Sequence, residues 1–66
     1  MTFAQNLKIW RTSQKLSQKE LANKINTTLQ SISHWETGYS EPSIQQLIEL
    51  ANLFDTTIDE LVGRTL

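Results

Sequence analysis

The chain has 66 residues, no cysteine, one histidine and a formal net charge of −1. A chain this short buries only about 60% of its unfolded surface. Without thiols it has neither a disulfide framework nor a thiolate metal site, and a lone histidine argues against structural zinc. No apolar run approaches the roughly 20 residues of a membrane span and no signal peptide opens the chain, so the expectation is one soluble, cytoplasmic domain over residues 1–66.

Five helices are predicted in chain order. The first runs from about Thr2 to Thr12, with Phe3, Leu7 and Trp10 on one face. The second opens at Ser17, whose spacing to Glu20 is that of a capping box, and turns Leu21, Ala22 and Ile25 inward. Asn26 is suited to the left-handed conformation that stops it. The third starts near Thr28 and reaches about Glu36, with Gly38 just past its end. After the loop Tyr39-Ser40-Glu41-Pro42, Ser43 and Gln46 cap a fourth helix whose stripe is Ile44, Leu47, Leu50, Ala51 and Phe54, with Asp55 at its end. Thr57 and Glu60 form a third capping box before a short fifth helix with Ile58, Leu61 and Val62 inward, ended by Gly63. Nothing reads as a strand.

The charge is segregated. Residues 1–35 hold Lys8, Arg11, Lys15, Lys19 and Lys24 against Glu20 alone, whereas residues 36–66 hold six carboxylates against Arg64. Such a dipolar chain can approach a polyanion with its N-terminal half; the other reading is a set of solvated cations on helix surfaces. Lys15 and Lys19, beside the start of the second helix, fit either reading.

On a wheel of about 100° per residue, the third helix turns Ile32 and Trp35 one way and Gln30 and His34 the other, flanked by Ser31 and Ser33, with Leu29 between on the first turn. The outer face is short, polar and uncharged. Glutamine suits the adenine edge, and an apolar side chain such as Leu29 can pack on a thymine methyl. The wheel alone leaves open whether these are base readers or neutral surface residues. Tryptophan can stack on bases in single-strand binders, but Trp10 and Trp35 fall on apolar helix faces and read as core.

Leu7, Lys8 and Arg11, then Leu16, Ser17, Gln18, Glu20, Leu21 and Ala22, then Ile32, Ser33, Trp35, Glu36 and Gly38, then Pro42 and Ser43, Leu50 and Ala51, and Asp59, Glu60 and Leu61 stand in a specific order and spacing. Over residues 7–62 this pattern resembles the Cro/phage-repressor (Xre-like) helix-turn-helix family. The resemblance implies an all-α, compact five-helix, lambda-repressor-like domain of prokaryotic or phage origin. Its second and third helices, about residues 17–36, form the helix-turn-helix, and the third lies in the major groove of double-stranded DNA. It places base reading on Leu29, Gln30, His34 and Ser33. Phosphate contacts fall on Ser17, Gln18 and Lys19, on Thr28 and Ser31, and on the loop residues Thr37, Tyr39 and Ser40. Arg11 and Glu36 match positions that pair internally. The chain departs from many relatives in one respect: the loop after the third helix carries Glu41 and no Lys or Arg.

The function so implied is a sequence-specific transcriptional regulator, most simply a repressor that binds a palindromic operator as a homodimer. Ile48, Leu53, Val62 and Leu66 do not all fit the inner stripes, which points to a dimer through the fifth helix and tail. The alternative is a protein-interaction module such as an antitoxin or anti-repressor partner. An enzyme is not expected, because there is no nucleophile–base pair, glycine-rich phosphate loop or placed carboxylate pair. Neither a cofactor, a metal nor a small-molecule ligand is implied.

Overall fold

A computed structural model describes residues 1–63. Five helices follow one another: α1 Phe3–Ser13, α2 Gln18–Lys24, α3 Leu29–Thr37, α4 Ile44–Phe54 and α5 Ile58–Val62. No strand occurs among the described residues, and no helix is long and apolar enough to cross a membrane. The all-helical, five-helix reading of the sequence therefore holds.

Each helix starts on a hydroxyl side chain. Thr2, Ser17, Thr28, Ser43 and Thr57 each accept the N–H three residues on, satisfying one of the orphan donors that every helix start leaves. Complete capping boxes form at Ser17 and Ser43, and a third at Thr2 with Gln5. The box expected at Thr57 is only half made. Glu60 gives its N–H to Thr57, but its carboxylate accepts the hydroxyl of Thr56 at 2.9 Å instead of returning to the Thr57 N–H. The neighbouring hydroxyl wins because it offers the carboxylate an equally local donor.

The helix ends share one device. Lys15, Asn26, Gly38 and Asp55 all take positive φ, and the next residue's N–H reaches back to a carbonyl five residues earlier: Leu16 to Arg11, Thr27 to Ala22, Tyr39 to His34 and Thr56 to Ala51. This is the Schellman closure, which satisfies terminal carbonyls. Only one of the four positions is glycine. Lys15 carries a β-carbon in a conformation that costs an L-residue about 1–2 kcal/mol. Lys15→Gly is therefore expected to raise stability by about 0.5–1 kcal/mol once glycine's greater freedom in the unfolded chain is subtracted; a rise in thermal midpoint checks it.

The core consists of Leu7, Leu21, Ala22, Ile25, Ile32, Trp35, Leu50, Ala51, Phe54 and Leu61, with Phe3, Trp10, Leu16, Leu47 and Leu53 packed against it. Trp10 stacks on Phe54 at a centroid separation of 5.9 Å, so both tryptophans belong to the packing. Helix α1 packs against both α3 and α5. Two positions depart from the predicted stripe. Ile44 is 76% exposed and Ile58 is 38% exposed. Both are the first residue of their helix, where the side chain projects beyond the packed turns although its angle around the axis is right. Leu53, taken as a candidate dimer residue, packs on the core instead. Ile48 is exposed and Val62 half-buried; Leu66 and the tail lie outside the described residues.

Candidate nucleic-acid interface

The bend between α2 and α3 is made by Asn26 in the left-handed conformation and the Thr27 N–H bond to Ala22. Thr28 then caps α3 by accepting the Ser31 N–H at 3.1 Å. Helix α3 is seated by Ile32, which is fully buried, and Trp35, nearly so. Anchoring one side leaves Leu29 and Gln30 exposed on the other, with Ser33 and His34 half-buried beyond them. Leu29, Gln30, Ser33 and His34 thus stand together on an uncharged surface of about two turns.

The flanking side chains divide into free and occupied. Ser17, Lys19, Tyr39 and Ser40 are exposed. Thr28 is already committed, because its hydroxyl donates to Ser31 Oγ at 2.9 Å while accepting that residue's N–H. Thr37 folds its hydroxyl back onto the His34 carbonyl at 3.2 Å. Gln18 turns inward, its amide donating to Glu36 Oε1 at 3.1 Å.

Glu36 is the centre of a buried polar cluster. Arg11 Nε donates to Glu36 Oε2 at 2.6 Å and Nη2 to Oε1 at 3.0 Å, while Nη1 donates to the Leu16 carbonyl at 2.8 Å. The two side chains are 10% and 4% exposed. The hydrogen bond to Glu36 holds the Arg11 pKa above its ordinary value despite the opposing effect of burial, and the carboxylate's charge adds to it. This fork joins α1, the start of α2 and the end of α3, so it fixes the angle at which α3 is presented. The spacing of Arg11 and Glu36 gave no hint of the Gln18 and Leu16 contacts, which depend on how the chain turns at Lys15.

Electrostatically, Arg11 is consumed by this pair, leaving Lys8, Lys15, Lys19 and Lys24 as exposed cations of the N-terminal half. The segment Gly38–Pro42 contributes Glu41 and no cation. Glu20 is held below the usual carboxylate range, first by the Ser17 backbone N–H and then by its hydroxyl. A depressed carboxylate stabilises above its unfolded pKa, so the α2 cap weakens only as pH falls through the folded value.

The helix-turn-helix family model matches residues 7–61. An uncharacterized HTH-type transcriptional regulator of Bacillus subtilis, YqaE, is 35% identical over 60 residues, covering 91% of this chain and 52% of that protein. The chain spans between 31% and 58% of the length of the curated regulators it matches over most of its own length. Among solved structures, the P22 c2 repressor in complex with a synthetic operator superposes with a TM-score of 0.91, covering 98% of both chains at 22% identity, which shows the fold. SinR, a master regulator for biofilm formation solved in complex with DNA, superposes with a TM-score of 0.83 at 28% identity, covering 91% of this chain and 97% of that one. With the family pattern running from Leu7 to Leu61 and the helices in the same arrangement, the chain belongs to the helix-turn-helix family.

Proposed function

We propose that this chain is the sequence-specific DNA-binding domain of a cytoplasmic transcriptional regulator, most simply a repressor that occludes a promoter. The observation that carries this reading is the uncharged outer surface of α3, where Leu29, Gln30, Ser33 and His34 stand opposite the buried Ile32 and Trp35. A surface helix facing only water gains nothing from lacking charge; a helix entering the major groove gains from short donors, acceptors and an apolar tip. The likeness to SinR, solved in complex with DNA, supports the same reading.

In this reading α3 lies in the major groove, and Ser17, Lys19 and Ser40 approach phosphate. The committed hydroxyls of Thr28 and Thr37 and the inward amide of Gln18 make those side chains weaker candidates, though Ser31 keeps its own hydroxyl proton. Each ionic phosphate contact contributes about 0.9 to the slope of log affinity against log salt, so a loop without a cation implies a shallow slope.

Selection of bound duplexes from a random pool at fixed salt tests the proposal. Gln30→Ala is expected to cost about 1–3 kcal/mol against the selected duplex and to relax specificity at one base pair. Failure to enrich any duplex would sink the reading.

A palindromic operator needs two copies with half-sites about 34 Å apart. Of the residues named above for such a homodimer, Ile48 is exposed and Val62 half-buried. Sedimentation showing only monomer at about 100 µM, where mass action favours association, would argue against it. A protein-interaction role is favoured by a different observation: residues 37–63 contain no Lys or Arg and expose Ile44 and Ile48. Tight capture of a partner by this face with no duplex binding would select that reading.

A further inference from the structure

We infer that Tyr39 is a positioning residue that sets how His34 meets a base edge, an assignment that rests on the DNA reading above. Five residues along a continuous helix would lie about 140° away around the axis. Gly38 changes that. Its φ of +80° reverses the chain, with nothing within 4 Å of where a β-carbon would stand. The Tyr39 N–H then bonds the His34 carbonyl at 3.0 Å. The reversal lays the tyrosine ring against the imidazole, with centroids 4.6 Å apart and planes inclined by 48°, inside the range of favourable aromatic pairs.

Two further observations point the same way. Leu29 and Gln30, on the same side of α3, are exposed, whereas His34 is half-buried and has the tyrosine ring against it. Tyr39 itself is 79% exposed. An aromatic ring this open to solvent gains little from burial, so its contact with a candidate base reader is its distinguishing interaction. Tyr39 sits in the loop that lacks a cation, and it contributes through its ring, by restricting the imidazole, where a lysine would contribute charge.

The test titrates the unaltered chain, His34→Ala, Tyr39→Ala and Tyr39→Phe against the duplex selected above and its single-base variants, with circular dichroism melts alongside. His34→Ala marks the base pair that His34 reads. Tyr39→Ala is expected to reduce discrimination at that same base pair by about two- to tenfold, the cost of ordering a freed side chain on binding. It should leave the positions read by Leu29 and Gln30 unchanged, and Tyr39→Phe should restore the original preference. A uniform loss of affinity in Tyr39→Phe would identify a phosphate-donating hydroxyl and overturn the assignment. So would a lower melting temperature in Tyr39→Ala with base preference intact, the signature of a purely structural cap contact. If the duplex binds but His34→Ala flattens no position, the assignment falls while the DNA reading stands. If no duplex binds at all, both fall.

Discussion

Arg11→Met is expected to lower stability by about 3–5 kcal/mol, because it strands the Glu36 carboxylate in the interior. The Glu36 side chain is 4% exposed and has three donors on its two oxygens, two from Arg11 and one from Gln18. Removing Arg11 leaves only the Gln18 amide and also frees the Leu16 carbonyl. For a chain this size total stability is on the order of 3–10 kcal/mol, so the loss removes from about a third to all of it. Urea denaturation followed by tryptophan fluorescence reads this directly. An unchanged midpoint would show that the pair contributes no more than an exposed one. The paired variant Arg11→Met with Glu36→Leu separates two contributions. It removes both charges together, and is expected to recover most of the loss, since apolar replacement of a buried pair is often neutral or better. The recovered protein should still bind DNA less selectively, because the fork that orients the end of α3 is gone. Arg11 itself stays charged across the neutral range, its pKa being raised further, so its own titration adds no pH dependence to stability there.

Trp35→Ala is expected to cost about 3–5 kcal/mol, the range for removing a large aromatic from a core. Trp35 is 4% exposed and lies on the opposite side of α3 from Gln30. The cavity would open directly beneath the proposed recognition surface, so duplex binding should fall sharply together with the thermal midpoint. Trp35→Phe, which keeps an aromatic ring in place, should retain fold and binding with a smaller loss of stability. Binding measured at low temperature, where the alanine variant remains folded, distinguishes loss of the fold from loss of helix position. Undiminished binding by Trp35→Ala would mean that the seat of α3 does not matter for recognition.

What the sequence made legible were features set by local chemistry. Ser17, Thr28 and Ser43 announced helix starts because a hydroxyl at that position has one natural partner, the N–H three residues on. Gly38 and Asn26 announced stops because few residues tolerate positive φ. Thr2 and Gln5 carried the same signal at α1, readable on the same rule. Lys15 was not readable, since lysine has no preference for the left-handed region and is held there by its surroundings. Ile44 shows a different limit. Periodicity gives the angle of a side chain around a helix and says nothing about whether the helix end reaches past its neighbour. At the candidate interface, the outer residues 29, 30, 33 and 34 followed from the wheel because Ile32 and Trp35 fix the inner side. The hydrogen-bond state of Gln18, Thr28 and Thr37 did not, because each depends on a second side chain or a carbonyl that the fold brings near.

Gly63 adopts a φ of +83°, and a β-carbon there would stand 2.9 Å from the Met1 carbonyl and run into the Asn6 side chain. The first residue and the sixty-third are therefore neighbours, although they stand at opposite ends of the described residues. Any passenger attached ahead of Met1, such as an affinity tag, will crowd the place where the polypeptide leaves α5. A fusion partner therefore belongs on a spacer long enough to clear the contact of Met1 and Asn6 with Gly63.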